Sequence, residues 1–392
     1  MSNSYYIEKM LSLKEAEVTS LEMLEDKQIL HLSIPKKEQC CPHCHTRTSR
    51  IKDYRSQTVF IAIVNDLPVY AQFRKRRYSC PACHRTFYPP LSFVQPYQRR
   101  SQQVQLLILK ECRERQTFTS IAARYRVSVP TVIRYFDRVQ YTKPTRLPRL
   151  LALDELKGNA QGQKYQTSIT NPFTHKMLDI LPNRKTQDII KYFRSFPRKQ
   201  RNRVRWVIMD MSNLFRKVVQ EVFPNAVIIC DRFHIVRLVL WAMERVRKRI
   251  QKSFPKKSRY FKRNKRILRK AGHTLTSDEL VCLEEILSHS EDLRKAYALK
   301  EAFYKVLDMK RTPYAEPTLQ EWLELVRSAD LEEFQSLQKS FTDWFEEIVN
   351  ALKYPWSNGY TEGCNNKIKV LKRTSFGIRK YSRFKNRILY IA

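Results

Sequence analysis

The chain has 392 residues, beyond the size at which one hydrophobic core stops growing, so two to four domains are expected. Its 74 Lys+Arg against 38 Asp+Glu leave a net charge of +36 and a pI near 10.0, a self-repulsion that a polyanion such as nucleic acid relieves. No apolar run approaches the length of a membrane-spanning helix, and the N-terminal Met-Ser-Asn-Ser-Tyr-Tyr carries no signal-peptide pattern, so a soluble, cytoplasmic protein with no membrane partner is expected.

The hydrophobic content of 42% suits packed cores, and six glycines in all argue against a flexible or low-complexity protein. Lys27 to Ile34 alternates in polarity and reads as a strand. It leads to Cys41-Pro-His-Cys44, and Cys80-Pro-Ala-Cys83 follows later. Two such knuckles brought together by a hairpin place Cys41, Cys44, Cys80 and Cys83 at the corners of a tetrahedron, as structural Zn2+ requires. Val59, Ile61 and Ile63, then Val69, Ala71 and Phe73, alternate as that hairpin would. The competing reading is buried reduced cysteines or a redox dithiol, and Cys40, His43, His45 and His84 are substitute ligands. The odd count of nine cysteines favours metal binding in a reducing compartment over a disulfide framework. Arg74, Lys75, Arg76, Arg77 and Arg85 decorate this module as a solvated face that also suits phosphate contacts.

Thr117 to Arg138 reads as a helix-turn-helix. Ser120 caps or begins the first helix, Val127 and Ser128 turn, and Pro130 falls where a first helical turn tolerates it. Val132, Ile133 and Phe136 are expected to face the core, leaving Thr131, Arg134, Tyr135 and Arg138 outward toward DNA. As a bare pattern any helical hairpin looks similar; the charge of the chain favours the DNA-binding reading.

After a Pro-containing linker, Leu150 to Lys157 begins a buried strand interrupted by Asp154. Strands over 163–171 and 175–181, a helix over 185–196, a strand Val204–Asp210, a helix over 213–223 and a strand over 226–230 follow. This is the order of a ribonuclease-H-like mixed sheet flanked by helices, with Asp154 and Asp210 at the ends of its first and fourth strands. From 235 to 350 the pattern is helical, and 17 acids against 8 bases over 273–350 make that stretch net −9, unlike a DNA-facing surface. A last helix carries Glu362 within a basic run. The expected domains are thus 1–95 with the zinc ribbon, 96–140 with the helix-turn-helix, 141–234 as the first part of the catalytic domain, 235–350 as a helical insertion, and 351–392 as its last part.

Hydrolysis of a phosphodiester by two divalent ions needs several carboxylates at one point, and hard oxygen donors select Mg2+ or Mn2+ over zinc. Asp154, Asp210 and Glu362 are the candidates. A strand-terminal Asp is equally a turn former or helix cap, and Glu155 and Asp231 are rivals, with Asp231-Arg-Phe-His234 expected to support the site from behind. On the last helix, Asn366, Lys367, Lys369, Lys372 and Arg373 are candidate DNA contacts, with Asn366 and Lys369 best placed by spacing to share a face with Glu362.

The two Cys-x-x-Cys pairs, the helix-turn-helix, Leu151-Ala-Leu-Asp-Glu155, Val207-Ile-Met-Asp-Met211, Asp231-Arg-Phe-His234 and the run Ser357-Asn-Gly-Tyr-Thr-Glu-Gly-Cys-Asn-Asn-Lys-Ile-Lys-Val-Leu-Lys-Arg373 together resemble bacterial insertion-sequence transposases of the ISL-three type. The resemblance covers nearly the whole chain. It implies a DDE catalytic domain of ribonuclease-H fold with a helical insertion, its acids at Asp154, Asp210 and Glu362. It further implies binding of double-stranded DNA at terminal inverted repeats, magnesium-dependent cleavage and joining of strands, and a homo-oligomer holding two element ends. The alternatives are a DNA-binding regulator with an inert catalytic domain, and a structure-selective nuclease of the same fold.

Overall fold

The structure, a computed structural model, describes residues 11, 13–114, 116–160, 162–374, 378 and 380–391, with 159 and 160 described by backbone alone. These divide into two compact units. One comprises the residues up to Tyr141 with Val370–Ile378 and Asn386–Ile391, the other Thr142–Lys369 with Arg379–Lys385.

In the first unit, β1 (Glu17–Met23) pairs antiparallel with β2 (Gln28–Ser33), and two-residue strands β3 (Gln39–Cys40) and β4 (Arg47–Thr48) pair with each other. The long hairpin of β5 (Ile51–Val64) and β6 (Leu67–Ser79) follows, then β7 (Thr86–Phe87), giving the sheet order β1-β2-β6-β5 with β7 on β6. Alternation buries Val59, Ile61, Val69, Ala71 and Phe73, as expected, while Ile63 is half-buried. The hairpin closes through Asn65 and Asp66, whose φ of 51° and 61° match the right-handed twist of the flanking strands.

Helices α1 (Gln102–Glu111), α2 (Phe118–Arg124) and α3 (Val129–Phe136) complete this unit around Val104, Ile108, Ile121, Ala122, Val132 and Phe136. Thr117, not Ser120, caps α2, its hydroxyl accepting from Ser120 N–H at 2.9 Å. Pro130 lies in the first turn of α3 behind the N-cap Ser128. Two residues expected to face outward do not. Thr131 is 5% and Tyr135 3% exposed, because the buried stripe of α3 is wider than Val132, Ile133 and Phe136 alone: Tyr135 falls three residues from Val132 on the same face, and the Thr131 hydroxyl is tied to Ser128 at 2.9 Å. Arg134 and Arg138 are exposed. The C-terminal residues close this core, with Tyr390 edge-on to Phe136 at 5.8 Å and buried Arg387 donating to the carbonyls of Glu114 (3.1 Å) and Gln116 (2.9 Å).

The second unit is built on β8 (Leu150–Ala160), β9 (Gln163–Asn171), β10 (Lys176–Leu181), β11 (Trp206–Met209) and β12 (Val227–Cys230), in the order β10-β9-β8-β11-β12. β8, β9 and β10 form an antiparallel meander, and β11 and β12 run parallel to β8, the mixed ribonuclease-H-like layer anticipated above. α4 (Thr186–Arg194), α5 (Arg198–Arg201) and α6 (Asn213–Val222) connect the strands. α7 (Arg232–Ser253) opens the helical stretch, which continues through α8 (Ser258–Arg263), α9 (Lys265–Arg269), α10 (Ser277–Ser288), α11 (Glu291–Asp308), α12 (Ala315–Ser328), α13 (Glu332–Asp343) and α14 (Phe345–Lys353). Strand residues such as Leu151 and Val207 and helical residues such as Phe303, Trp322 and Phe341 belong to one continuous core. α15 (Gly359–Thr374) and α16 (Tyr381–Ile391) end the chain, α15 contributing its residues through Lys369 to this unit. Among the described residues, no helix is long and apolar enough to cross a membrane.

Candidate active site

The register of the parallel strands decides where the acids stand. Leu153 pairs with Met209, and Met209 with Cys230. The next residue on each strand is an acid, so Asp154, Asp210 and Asp231 lie in one row across three adjacent strands, and Asp231 N–H still bonds Met209 O at 2.9 Å. β8 runs on to Ala160 against β9, so Asp154 stands mid-strand instead of at a strand end; only its pairing with β11 stops there. Asp231 therefore shares the level of the other two.

Asp210, Asp231 and His234 bring ligand atoms within 4.8 Å of one another. Asp231 caps α7, its Oδ1 accepting from Phe233 N–H at 3.3 Å, and this cap starts the helix so that His234 turns back toward the acids. His234 Nδ1 donates to Asp231 Oδ2 at 2.9 Å and stands 3.0 Å from Asp210 Oδ1. Burial works against charge on His234, but these two carboxylates hold it up to about 9. Burial first, and then the charge of Asp210, push Asp154 up to about 7, even though Glu155 N–H and His234 favour its ionised form. Three acids around one imidazolium thus leave surplus negative charge. Glu155 is accounted for elsewhere: Arg184 Nη1 donates to both its oxygens at 2.7 Å.

α15 meets this row through Asn365. Its amide Nδ2 donates to Asp154 Oδ2 at 2.8 Å, while its Oδ1 is buried with no hydrogen-bond partner. The helix is seated by Thr361, whose buried hydroxyl bonds that of Thr170 on β9 at 2.7 Å, and by Cys364 and Ile368 on the same face. Arg232 at the start of α7 holds the preceding segment through the carbonyls of Pro355 (3.3 Å) and Trp356 (3.0 Å). Glu362 occupies the first turn of α15, exposed, one turn before Asn365; its carboxylate makes no hydrogen bond or ion pair with a described residue. Asn366, Lys367, Lys369 and Arg373 are exposed and Lys372 half-buried, with Lys369 Nζ 3.4 Å from Asn366 Oδ1. The sequence reading passed over Asn365 in favour of Asn366. The signal was the buried stripe Thr361, Cys364, Asn365, Ile368, spaced three and four apart, in which a lone amide needs a polar partner.

The four cysteines also converge. Cys41 Sγ lies 3.7 Å from Cys83 Sγ and Cys44 Sγ 3.3 Å from Cys80 Sγ, near the edge of about 3.8 Å of a tetrahedron with zinc–sulfur bonds of about 2.3 Å. Each knuckle is a tight turn, with His45 N–H bonding Cys41 O (2.9 Å) and His84 N–H bonding Cys80 O (3.1 Å). The Thr46 hydroxyl and N–H hold Cys44 down to about 6. Cys83, despite the Arg85 N–H, is pushed up to about 12 by burial and by its sulfur neighbours. Four sulfurs this close ionise together only around a cation, which suits structural zinc.

Comparison with known proteins agrees with this layout. A family model described as a transposase matches residues 151–388, the helix-turn-helix domain of transposase family ISL3 matches 89–140, and the zinc finger of the IS204/IS1001/IS1096/IS1165 transposases matches 37–83. The transposase for insertion sequence element IS1001 of Bordetella parapertussis is 22% identical over 371 residues, 91% of this chain and 89% of that one. The IS1557 transposase of Mycobacterium tuberculosis is 22% identical over 290 residues, 67% of this chain and 65% of that one. A protein named ATP-dependent protease from Lactococcus lactis subsp. lactis is 34% identical over 136 residues, 34% of this chain and 39% of that one.

Proposed function

The chain belongs to the ISL3 family of transposases, and from that premise we propose that it binds the terminal inverted repeats of its insertion sequence and catalyses metal-dependent DNA strand cleavage and strand transfer at the acid row. The observation that carries this reading is the shared level of Asp154, Asp210 and Asp231, with Asn365 from the helix of Glu362 held on Asp154. The donors fit Mg2+ or Mn2+: they are hard oxygens, Asn365 Oδ1 is a buried acceptor with no donor, and the crowding that raises Asp154 is what a cation relieves. When bound, a metal pair supplies electrostatic stabilisation of the attacking and leaving oxygens.

Asp154 and Asp210 would hold the metals, with Glu362, exposed in the first turn of α15, as the third ligand. Asn365 orients Asp154. His234 fixes the carboxylates of Asp210 and Asp231, so that Asp231 positions its neighbours through the imidazole. Asn366, Lys367 and Lys369, with Lys372 and Arg373 further along the helix, hold phosphates, and Arg134 and Arg138 on α3 contact the repeat. Holding two element ends calls for at least two copies of the chain.

The test is cleavage and joining of DNA carrying the native element ends in the presence of Mg2+. Asp154→Asn, Asp210→Asn and Glu362→Gln should each abolish cleavage and leave end binding intact. Wild-type strand transfer by Glu362→Gln would remove that residue from the site.

A further inference from the structure

The first unit contains a cleft of about 1060 Å3 whose walls come from β5, β6, β7 and the proline-rich segment that follows. Among the described residues no side chain lining it is acidic, whereas Arg55, Lys75, Arg77, Arg99, Arg100 and Arg126 all line it. Arg77 has the Asp53 carboxylate at 3.5 Å; the other five have no carboxylate of a described residue within ion-pair distance. Lys75 lies with its Nζ 4.3 Å from the centre of the Tyr88 ring, and burial lowers its pKa. A half-desolvated cation without a counter-ion is a cost to the free protein that an anionic ligand removes.

The lip of the cleft carries a second oddity. Gln95-Pro96-Tyr97-Gln98 forms a turn closed by Gln98 N–H on Gln95 O at 3.1 Å, with Tyr97 at φ +61°. Proline at the second position and a left-handed third residue define a type II turn, where glycine belongs and a tyrosine is strained. The Tyr97 side chain is 99% exposed, so no packing within the chain offsets that strain. Strain retained to hold an aromatic ring in solvent beside an uncompensated basic cleft points to a ligand with both phosphates and flat apolar surfaces.

We propose that this cleft seats the sugar-phosphate backbone of one strand of duplex DNA, its cations pairing with successive phosphates while Tyr97 packs its ring on the sugars and base edges at the lip. The inference rests on DNA being the partner of the chain, and it adds to the α3 helix a contact that is indifferent to sequence.

The experiment measures binding of the full-length, zinc-loaded chain to a short random-sequence duplex, to one of its single strands and to inorganic polyphosphate, over a range of salt concentrations. Tyr97→Gly should melt no lower than wild type, since it relieves the turn, yet bind the duplex about tenfold more weakly. The double variant Arg55→Gln/Arg99→Gln should flatten the slope of log affinity against log salt by about two. Duplex affinity and salt slope unchanged in both variants would overturn the proposal, as would losses confined to the single strand or to polyphosphate. If wild type cleaves native-end DNA while the cleft variants bind as wild type does, this inference falls alone; if wild type binds no duplex, DNA as the partner falls with it.

Discussion

Asp154 is where the chemistry of the site and the stability of the fold oppose each other. Its pKa rises from an ordinary 3.8 to about 7, so between those values the folded protein holds a proton that the unfolded chain has lost. The contribution of Asp154 to the stability of the metal-free protein therefore falls as pH rises through that window and levels off above about 7. Asp154→Asn removes the term, so its metal-free melting temperature should exceed that of wild type by a margin that grows from pH 4 to 7, while cleavage is lost; equal pH profiles in thermal denaturation would show that Asp154 carries no such strain. Asn365 leads to a second prediction. Asn365→Ala leaves Asp154 Oδ2 without its donor and should weaken Mn2+ binding about 10- to 100-fold with DNA affinity unchanged, as read by metal titration. Asp154 and Asp210 stand out in the sequence as candidates because an acid closing an apolar run is conspicuous. The sequence does not disclose the partner of Asn365, because that contact joins residues 211 apart and depends on how α15 rolls against the sheet.

At the scale of elements, periodicity made the strands and helices legible, and the departures have physical causes. The β5–β6 hairpin followed from alternation, and the parallel strands β11 and β12 from short apolar runs ending in acids. α3 departs from that pattern at Thr131 and Tyr135, because Tyr135 packs its ring into a broad buried stripe and the Thr131 hydroxyl is tied to Ser128. The segment from Tyr381 to Tyr390 is basic and aromatic, yet Arg387 is fully buried with its guanidinium 5.0 Å from the Phe118 ring and 5.6 Å from that of Phe136. Only the fold supplies the carbonyls of Glu114 and Gln116 that make this burial tolerable. Arg387→Met keeps most of the volume and removes both bonds, so it should destabilise the first unit by about 2 kcal/mol, measured by denaturant unfolding, and weaken duplex binding, since the same residues support α2 and α3.

Over the whole molecule, two clusters of groups that could hold a metal ion differ in chemistry. The cysteine cluster belongs to the first unit and is soft, closed and tetrahedral; the acid row belongs to the second and is hard and open to α15. Cys41, Cys80 and Cys83 sit in a small core with Tyr78, Phe87 and Ile51, too few residues to hold their loops without a cross-link. The sheet of the second unit sits in a core of its own that contains no residue of that cluster. Removing all divalent ions with a strong chelator should therefore unfold the zinc module and abolish duplex binding, while the circular dichroism of the helix-rich second unit persists. Adding back Mg2+ alone should restore nothing, because magnesium does not suit four thiolates; Zn2+ alone should restore binding without cutting; both together should restore cleavage. Recovery of duplex binding by Mg2+ alone would show that the cysteine module is not what the zinc-dependent step requires, and would shift the work of DNA capture onto the remaining basic surfaces of a +36 chain.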